Sequence, residues 1–306
     1  MKRFLLLFST IAVALASCQK QAADVLPEES VQVSIRTVMP GLDNTKAMSD
    51  AESVDVVYYE IWNEDWSKRF FPSEDGTTVS EPVSSKNAVI NVTLVKGLTY
   101  NMIFWAQNHS FDGYDTSNLK AVNVDYSKFE GNQDSYDAFY AVKKFTVTSV
   151  FEETVYLTRP FAQLNFGSSA MSTDLGDIEL GTSVIEVSQL ATTFDTREGV
   201  GYNPIQNVSF VADGIATDQT LEADSKTFSW VAMNYLLMMN EKDVVYVNAE
   251  FEVLGMDASV KHAVHNVPLE KNYRTSIVGD LFTSNASLII LVDPAFEYPD
   301  KIVEIL

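Results

Sequence analysis

The sequence predicts an all-β fold built as two sandwiches. Three observations carry that expectation. Short runs of alternating or β-branched residues recur along the chain, divided by Gly, Pro, Asn and Asp. No stretch longer than two turns keeps a 3.6-residue apolar period. Removing the first 17 residues leaves 289 of 306, enough for one large or two ordinary β domains.

The removable start is Met1 to Ser17. Lys2 and Arg3 form a basic n-region, Phe4 to Leu15 an apolar h-region, and Leu15-Ala16-Ser17-Cys18 a small-residue site before the only cysteine. The apolar run is too short for an ordinary membrane span, and its flanks are those of an export signal. This stretch resembles the lipobox of bacterial lipoproteins. That resemblance implies cleavage before Cys18 and diacylglycerol on its thiol. An ordinary signal peptide with a chance cysteine is the alternative. With Cys18 acylated, the mature chain has no thiol left for a disulfide or a thiolate metal site.

Residues 18–30 read as a tether, with Pro27 and the pair Glu28-Glu29. Val31 to Val38 alternates, with Val31, Val33 and Ile35 on one face and Gln32, Ser34 and Arg36 on the other: a half-buried strand. Met39 to Asp50 is a loop around Pro40-Gly41. Val54 to Trp62 is a strand, and Asn63 to Lys86 is loop-rich. Ala88 to Val95 and Thr99 to Ala106 are strands joined at Lys96-Gly97, a pattern that suggests a hairpin. Weaker strands are expected at Ala121 to Tyr126, Ala138 to Tyr140, Phe145 to Val150 and Thr154 to Thr158. Arg159-Pro160 interrupts pairing, so the division falls there, with residues 31–160 and 161–306 as the two sandwiches.

In the second half, Phe161 to Phe166 opens a new strand. Others are expected at Ile178 to Leu180, Val184 to Val187, Val208 to Val211, Phe228 to Met233, Val260 to Val267, Tyr273 to Val278 and Ser287 to Val292. Val244 to Leu254 is the clearest, with Val245, Val247, Ala249, Phe251 and Val253 facing one way. Leu236 to Met239 suggests a short helical turn.

The formal charge of −21, moving to about −23 without Lys2 and Arg3, argues against nucleic acid and against anionic lipid head groups. It suits a self-repelling surface outside the cell. No Gly-rich phosphate loop and no Ser nucleophile elbow occurs. His262 and His265 lie three apart on an expected strand and so point to opposite faces, and His109 stands apart. Asp112 with Asp115, and Asp174 with Asp177 and Glu179, offer carboxylate oxygen but match no twelve-residue calcium loop. The expectation is no catalytic residues, no metal and no cofactor. Trp62, Trp66, Trp105 and Trp230 offer faces for stacking sugars, although a buried aromatic core is the stronger reading of them.

Two segments resemble a known family. They are Arg159-Pro160-Phe161-Ala162-Gln163-Leu164-Asn165-Phe166-Gly167, and the run from Val267-Pro268-Leu269 through Tyr273-Arg274-Thr275 to Phe282-Thr283. With the lipobox and Phe104-Trp105-Ala106-Gln107-Asn108, they are similar to fimbrillin-type subunits of type V pili. More narrowly, they resemble fimbrillin-like lipoproteins of gut and oral Gram-negative anaerobes. The resemblance runs from about Val31 to Val292. It implies two tandem transthyretin-like (Ig-like) β-sandwiches, export as an outer-membrane lipoprotein, and assembly at the cell surface or in a fimbrium.

In that family a protease cuts after a basic residue near the start of the mature chain. The first strand leaves, and a neighbouring subunit's strand fills the groove by β-augmentation. Arg36 matches the processing position, with Lys46 as the competing basic residue. Ser287 to Val292 and Ile302 to Leu306 are candidate donor strands, or the last strands of their own sandwich. The partners implied are other fimbrial subunits, the lipid anchor in the membrane, and a host or bacterial surface ligand. The alternative function is an outer-surface ligand- or glycan-binding lipoprotein.

Overall fold

The computed structural model describes residues 29–40, 49–72, 79–169, 171–173, 176–223, 226–283 and 287–293. The chain opens with β1 (Ser30–Val38), β2 (Val56–Asn63), β3 (Arg69–Phe71), β4 (Val79–Pro82), β5 (Asn87–Val95) and β6 (Thr99–Gln107). Next come β7 (Tyr114–Asp115), β8 (Ala121–Val124), 3-10 turns at Tyr126–Lys128 and Asp134–Tyr136, β9 (Phe139–Thr146) and β10 (Phe151–Tyr156). The second half holds β11 (Phe161–Ser168), the two-residue strands β12 (Ser172–Thr173) and β13 (Gly176–Asp177), β14 (Leu180–Asp195), β15 (Val200–Asp213) and β16 (Thr220–Ala223). It closes with β17 (Lys226–Leu237), β18 (Lys242–Val253), β19 (Val260–Glu270), β20 (Arg274–Gly279) and β21 (Ile289–Asp293). Among the described residues no helix is long and apolar enough to cross a membrane.

In the first sandwich the sheet β10-β1-β5 faces the sheet β3-β2-β6-β9, with β4 also on β2. Val33, Ile35, Ile90 and Val92 meet Val57, Tyr59, Met102 and Phe104 in one core. Each such side chain contributes about 1.5–3 kcal/mol by leaving water.

The expected hairpin of β5 and β6 does not form. β5 pairs with β1, while β6 pairs with β2 and β9. Gly97, at φ +87°, carries the chain from one sheet to the facing one. The cause lies in β6. Its Tyr100, Met102, Phe104 and Ala106 enter the first core, while Ile103 and Trp105 on the opposite face enter the second. A strand apolar on both faces belongs in a layer covered on both sides. β5 buries only alternate residues, Ala88, Ile90, Val92 and Leu94, and takes an outer layer.

In the second sandwich the sheet β19-β18-β14-β8-β7, with β15 on β14, packs on the sheet β16-β17-β11-β20-β21. β8 precedes Arg159-Pro160 in sequence, yet it pairs with Thr193–Asp195 of β14. Tyr114, Val122, Val124, Tyr126 and Phe129 accordingly lie in the second core. β18 alternates as expected, burying Val245, Val247, Ala249, Phe251 and Val253. The helical turn expected from Leu236 is corrected: Leu236 and Leu237 complete β17, and both are fully buried. A short apolar run buried on both faces carries no periodicity to separate strand from helix.

Candidate strand-exchange site at β1

β1 is the first described strand, and it is an inner one. It runs antiparallel to β5 from Ser30 to Val38 and parallel to β10 from Val33 to Val38. Its sequence V-Q-V-S-I-R-T sends alternate side chains inward: Val33 and Ile35 are 1% exposed and Thr37 is sealed. Across the ladder Val33 stands beside Val92 and Phe151, and Ile35 beside Ile90 and Glu153. The polar face is tied to β5: Gln32 Nε2 donates to Thr93 Oγ1 at 2.6 Å and Lys96 pairs with Glu29 at 2.8 Å. Such cross-strand pairs fix register more than they add stability.

Arg36 lies on this outward face, level with Val89 and Thr154. Its Nε donates to Asn87 Oδ1 at 3.2 Å. The Arg36-Thr37 peptide thus sits inside a ladder, beside a buried Thr37 whose Oγ1 reaches Ala88 O at 3.4 Å. Cys18, Lys46 and Ile302 to Leu306 lie outside the described residues. Ser287 to Val292 largely becomes β21, paired antiparallel with β20 at the rim of its own sandwich.

After β1 the chain reaches a buried polar junction that composition does not reveal. Ser49 holds φ +71° and Ala51 +65°. The Ser49 amide donates to Asp134 Oδ1, its carbonyl accepts from Arg159 Nη2 at 2.6 Å, and its hydroxyl accepts from Gln163 Nε2 and from the Tyr235 hydroxyl. Arg159 also grips Asp137 through Nε and Nη2, both at 2.7 Å. Burial alone would lower the Arg159 pKa, but the Asp137 carboxylate outweighs it and holds it above the ordinary value. Burial, reinforced by Asp137, lifts Asp134 to about 6. Burial and the Arg159 charge bring Arg274 down to about 10.

The two segments that resemble the fimbrillin family are neighbours here. β11 and β20 pair in parallel at the centre of one sheet, with Gln163 level with Arg274.

Of the histidines, His262 is buried with Nε2 2.6 Å from Leu281 O, and the His265 ring packs 4.6 Å from Tyr246. His109 pairs with Asp55 at the surface. Among the described residues, no three His, Cys, Asp or Glu come together as a metal site. Trp62, Trp105 and Trp230 are core residues.

The fold is similar to several solved structures. One is a candidate cell adhesion protein of Bacteroides ovatus, 12% identical, covering 88% of this chain and 98% of that one, with a TM-score of 0.49. Another is a fimbrial assembly protein of Parabacteroides distasonis, 12% identical, covering 87% and 96%, with a TM-score of 0.43. A third is the tip fimbrial protein Mfa3 of Porphyromonas gingivalis with C-terminal truncation, 8% identical, covering 87% and 99%, with a TM-score of 0.47. No curated protein matches the sequence. A family model matches residues 25–305. On that match, which takes in both sandwiches, the chain belongs to DUF6562, a family of unknown function.

Proposed function

We propose that this chain is a surface-anchored fimbrial subunit or fimbrillin-like adhesive lipoprotein that joins neighbouring subunits by β-strand donation. Its work is to hold molecules together rather than to transform them. The observation that carries the reading is the place of β1: the first strand among the described residues, paired on both sides, with its apolar stripe in a core. Cleavage after Arg36 removes most of that stripe. It leaves β5 and β10 with facing unpaired edges and empty places at Val33 and Ile35. A donated strand with alternate apolar side chains restores both the ladder and the burial. Diacylglycerol on Cys18 supplies the tether to the outer membrane, because two acyl chains together anchor stably where a single chain binds only marginally.

The test is treatment of the purified chain with an Arg-specific protease. The expected result is loss of the segment through Arg36, read by N-terminal sequencing, followed by SDS-resistant ladders. A monodisperse monomer after clean cleavage at Arg36 overturns the reading.

A further inference from the structure

Trp66 is the tryptophan that the core leaves half-buried. It lies in the turn between β2 and β3 at φ +65°, a left-handed conformation that a bulky residue holds only where its surroundings impose it. The turn is tied at several points. The Trp66 amide donates to Asn63 O at 3.1 Å, the Asn63 amide to Lys68 O at 2.9 Å, and the Lys68 amide back to Asn63 Oδ1 at 2.9 Å. The Ser67 amide donates to Asp65 Oδ1 at 3.0 Å. The Trp66 indole is thereby set beside Trp62, with ring centroids 6.5 Å apart and planes 44° from parallel.

Lys120, just before β8, stands over the second indole. Its Nζ is 3.6 Å from the centre of the Trp62 ring. Among the described residues seven lysines pair with a carboxylate, whereas the half-buried Lys120 meets this ring instead. Glu60 is already engaged: its oxygens accept from Trp62 Nε1 at 2.9 Å, Arg69 Nη1 at 3.1 Å and the Leu119 amide at 3.2 Å. Arg197 joins the group from the second sandwich. The Thr196 amide donates to Lys120 O at 3.3 Å and its hydroxyl to Leu119 O at 2.8 Å, which keeps the next residue close to Lys120. Arg197 gives Nε and Nη2 to Asp195, and its Nη1 makes no bond among the described residues.

Charge and shape select the ligand. Burial lowers the Lys120 pKa, Arg197 lowers it further by more than Glu60 raises it, and Arg69 outweighs Asp195. These neighbours therefore leave a positive field at Nζ, in a chain whose formal charge is −21. Such a point favours a single negative group, because the acidic surface around it repels a polyanion. The Trp66 indole beside it favours a flat apolar face next to that charge. An acidic sugar in an otherwise neutral glycan offers both, a carboxylate for the cations and a C–H face for the ring. An aspartate or glutamate of a peptide carries its carboxylate on a flexible stem with no such face.

We propose that Trp66, Lys120 and Arg197 bind a carboxylate-bearing saccharide residue, with the Trp66 indole against the sugar ring and the two cations on the carboxylate. The site does not depend on cleavage at Arg36, so the uncut monomer reports on it alone.

The experiment is saturation-transfer NMR and titration of the uncut full chain with glucuronate, galacturonate, glucose, galactose and a tetraglutamate peptide, each alone. At least one uronate is expected to bind with a Kd of about millimolar or tighter, and about tenfold tighter than its neutral counterpart. Lys120→Met keeps the stem over Trp62 but removes the charge, and should weaken binding about tenfold or more. Trp66→Ala should weaken it about threefold or more. Lys261→Met, at an exposed lysine paired with Glu250 near the opposite end of β14, should leave it unchanged. If Trp66→Ala does not fold, Arg197→Gln gives the second reading, with a loss of about threefold or more expected. Binding of no uronate, equal affinity for a uronate and its neutral counterpart, tighter binding of the peptide, or wild-type affinity in a folded Lys120, Trp66 or Arg197 variant overturns the proposal.

Discussion

Arg159 and Asp137 clasp each other through two parallel 2.7 Å hydrogen bonds, with their side chains 2% and 0% exposed. The pair joins the start of the second sandwich to the 3-10 turn that precedes β9. Through Arg159 Nη2 it also holds Ser49. Removing one member strands the other charge in a medium that solvates it poorly. Asp137→Ala is therefore expected to cost about 3–5 kcal/mol. Urea unfolding checks it, and a loss below about 1 kcal/mol would mean that water reaches the guanidinium.

Asp134 gives a pH signature. Its folded pKa of about 6 lies above the ordinary 3.8, so the folded state binds the proton more tightly than the unfolded one. Its contribution is most favourable below pH 3.8 and weakens as pH rises through about 6. A shift of that size amounts to about 3 kcal/mol. Asp134→Asn keeps an oxygen to accept the Ser49 amide but cannot ionise. Relative to wild type, the variant should gain stability between pH 4 and pH 6 and hold that gain above. Unfolding free energies at four or five pH values test this, and a flat difference refutes it.

Burial of β1 should control access to Arg36. A protease needs an extended, unpaired peptide, and the Arg36-Thr37 bond lies within a ladder. Ile35→Ala deletes a fully packed side chain and should cost about 2–5 kcal/mol. If cleavage follows the open population, the Arg-specific rate rises at least about thirtyfold. An unchanged rate would show that the bond is cut without β1 leaving its place.

Gly201 is constrained by space. A Cβ on it would overlap the Met238 carbonyl oxygen and the Ala191 side chain, and its amide donates to Met239 O at 3.1 Å. A carbonyl on a buried turn cannot swing aside as a long side chain can. Gly201→Ala should destabilise by about 1–3 kcal/mol, with a lower melting temperature as the readout.

The strands were legible wherever one face alone is buried. β1, β5 and β18 alternate in sequence because a single side of each meets a core. Where both faces are covered, the sequence misleads. β6 read as half of a hairpin, and the end of β17 as a helical turn. β14 appeared only as fragments, since Gln189, Thr192 and Thr193 break its apolar pattern. Thr193 is nevertheless buried, with Oγ1 2.9 Å from Asn123 Oδ1 of β8, a partner far away in sequence. Gln163 and Asn165 likewise look like a solvent face but are sealed.

At the candidate site, the outward Arg36 and inward Ile35 follow from alternation. The parallel pairing with β10 does not, because a parallel partner leaves no turn signal beside it. The Ser49 junction gave no sign either, as a lone serine among loop residues carries none.

The sheet containing β6 feeds Phe104 into one core and Trp105 into the other, and β8 is carried across to pair with β14. Two lobes built on a common wall cannot swing like beads on a string. Bending one against the other would have to tear apolar contacts on both sides of that wall at once. Units of this kind, if joined in a row as proposed, would bend at the joints between them and not within them, so the contour length of the row would grow in direct proportion to its number of members while its end-to-end reach depended on the stiffness of the joints.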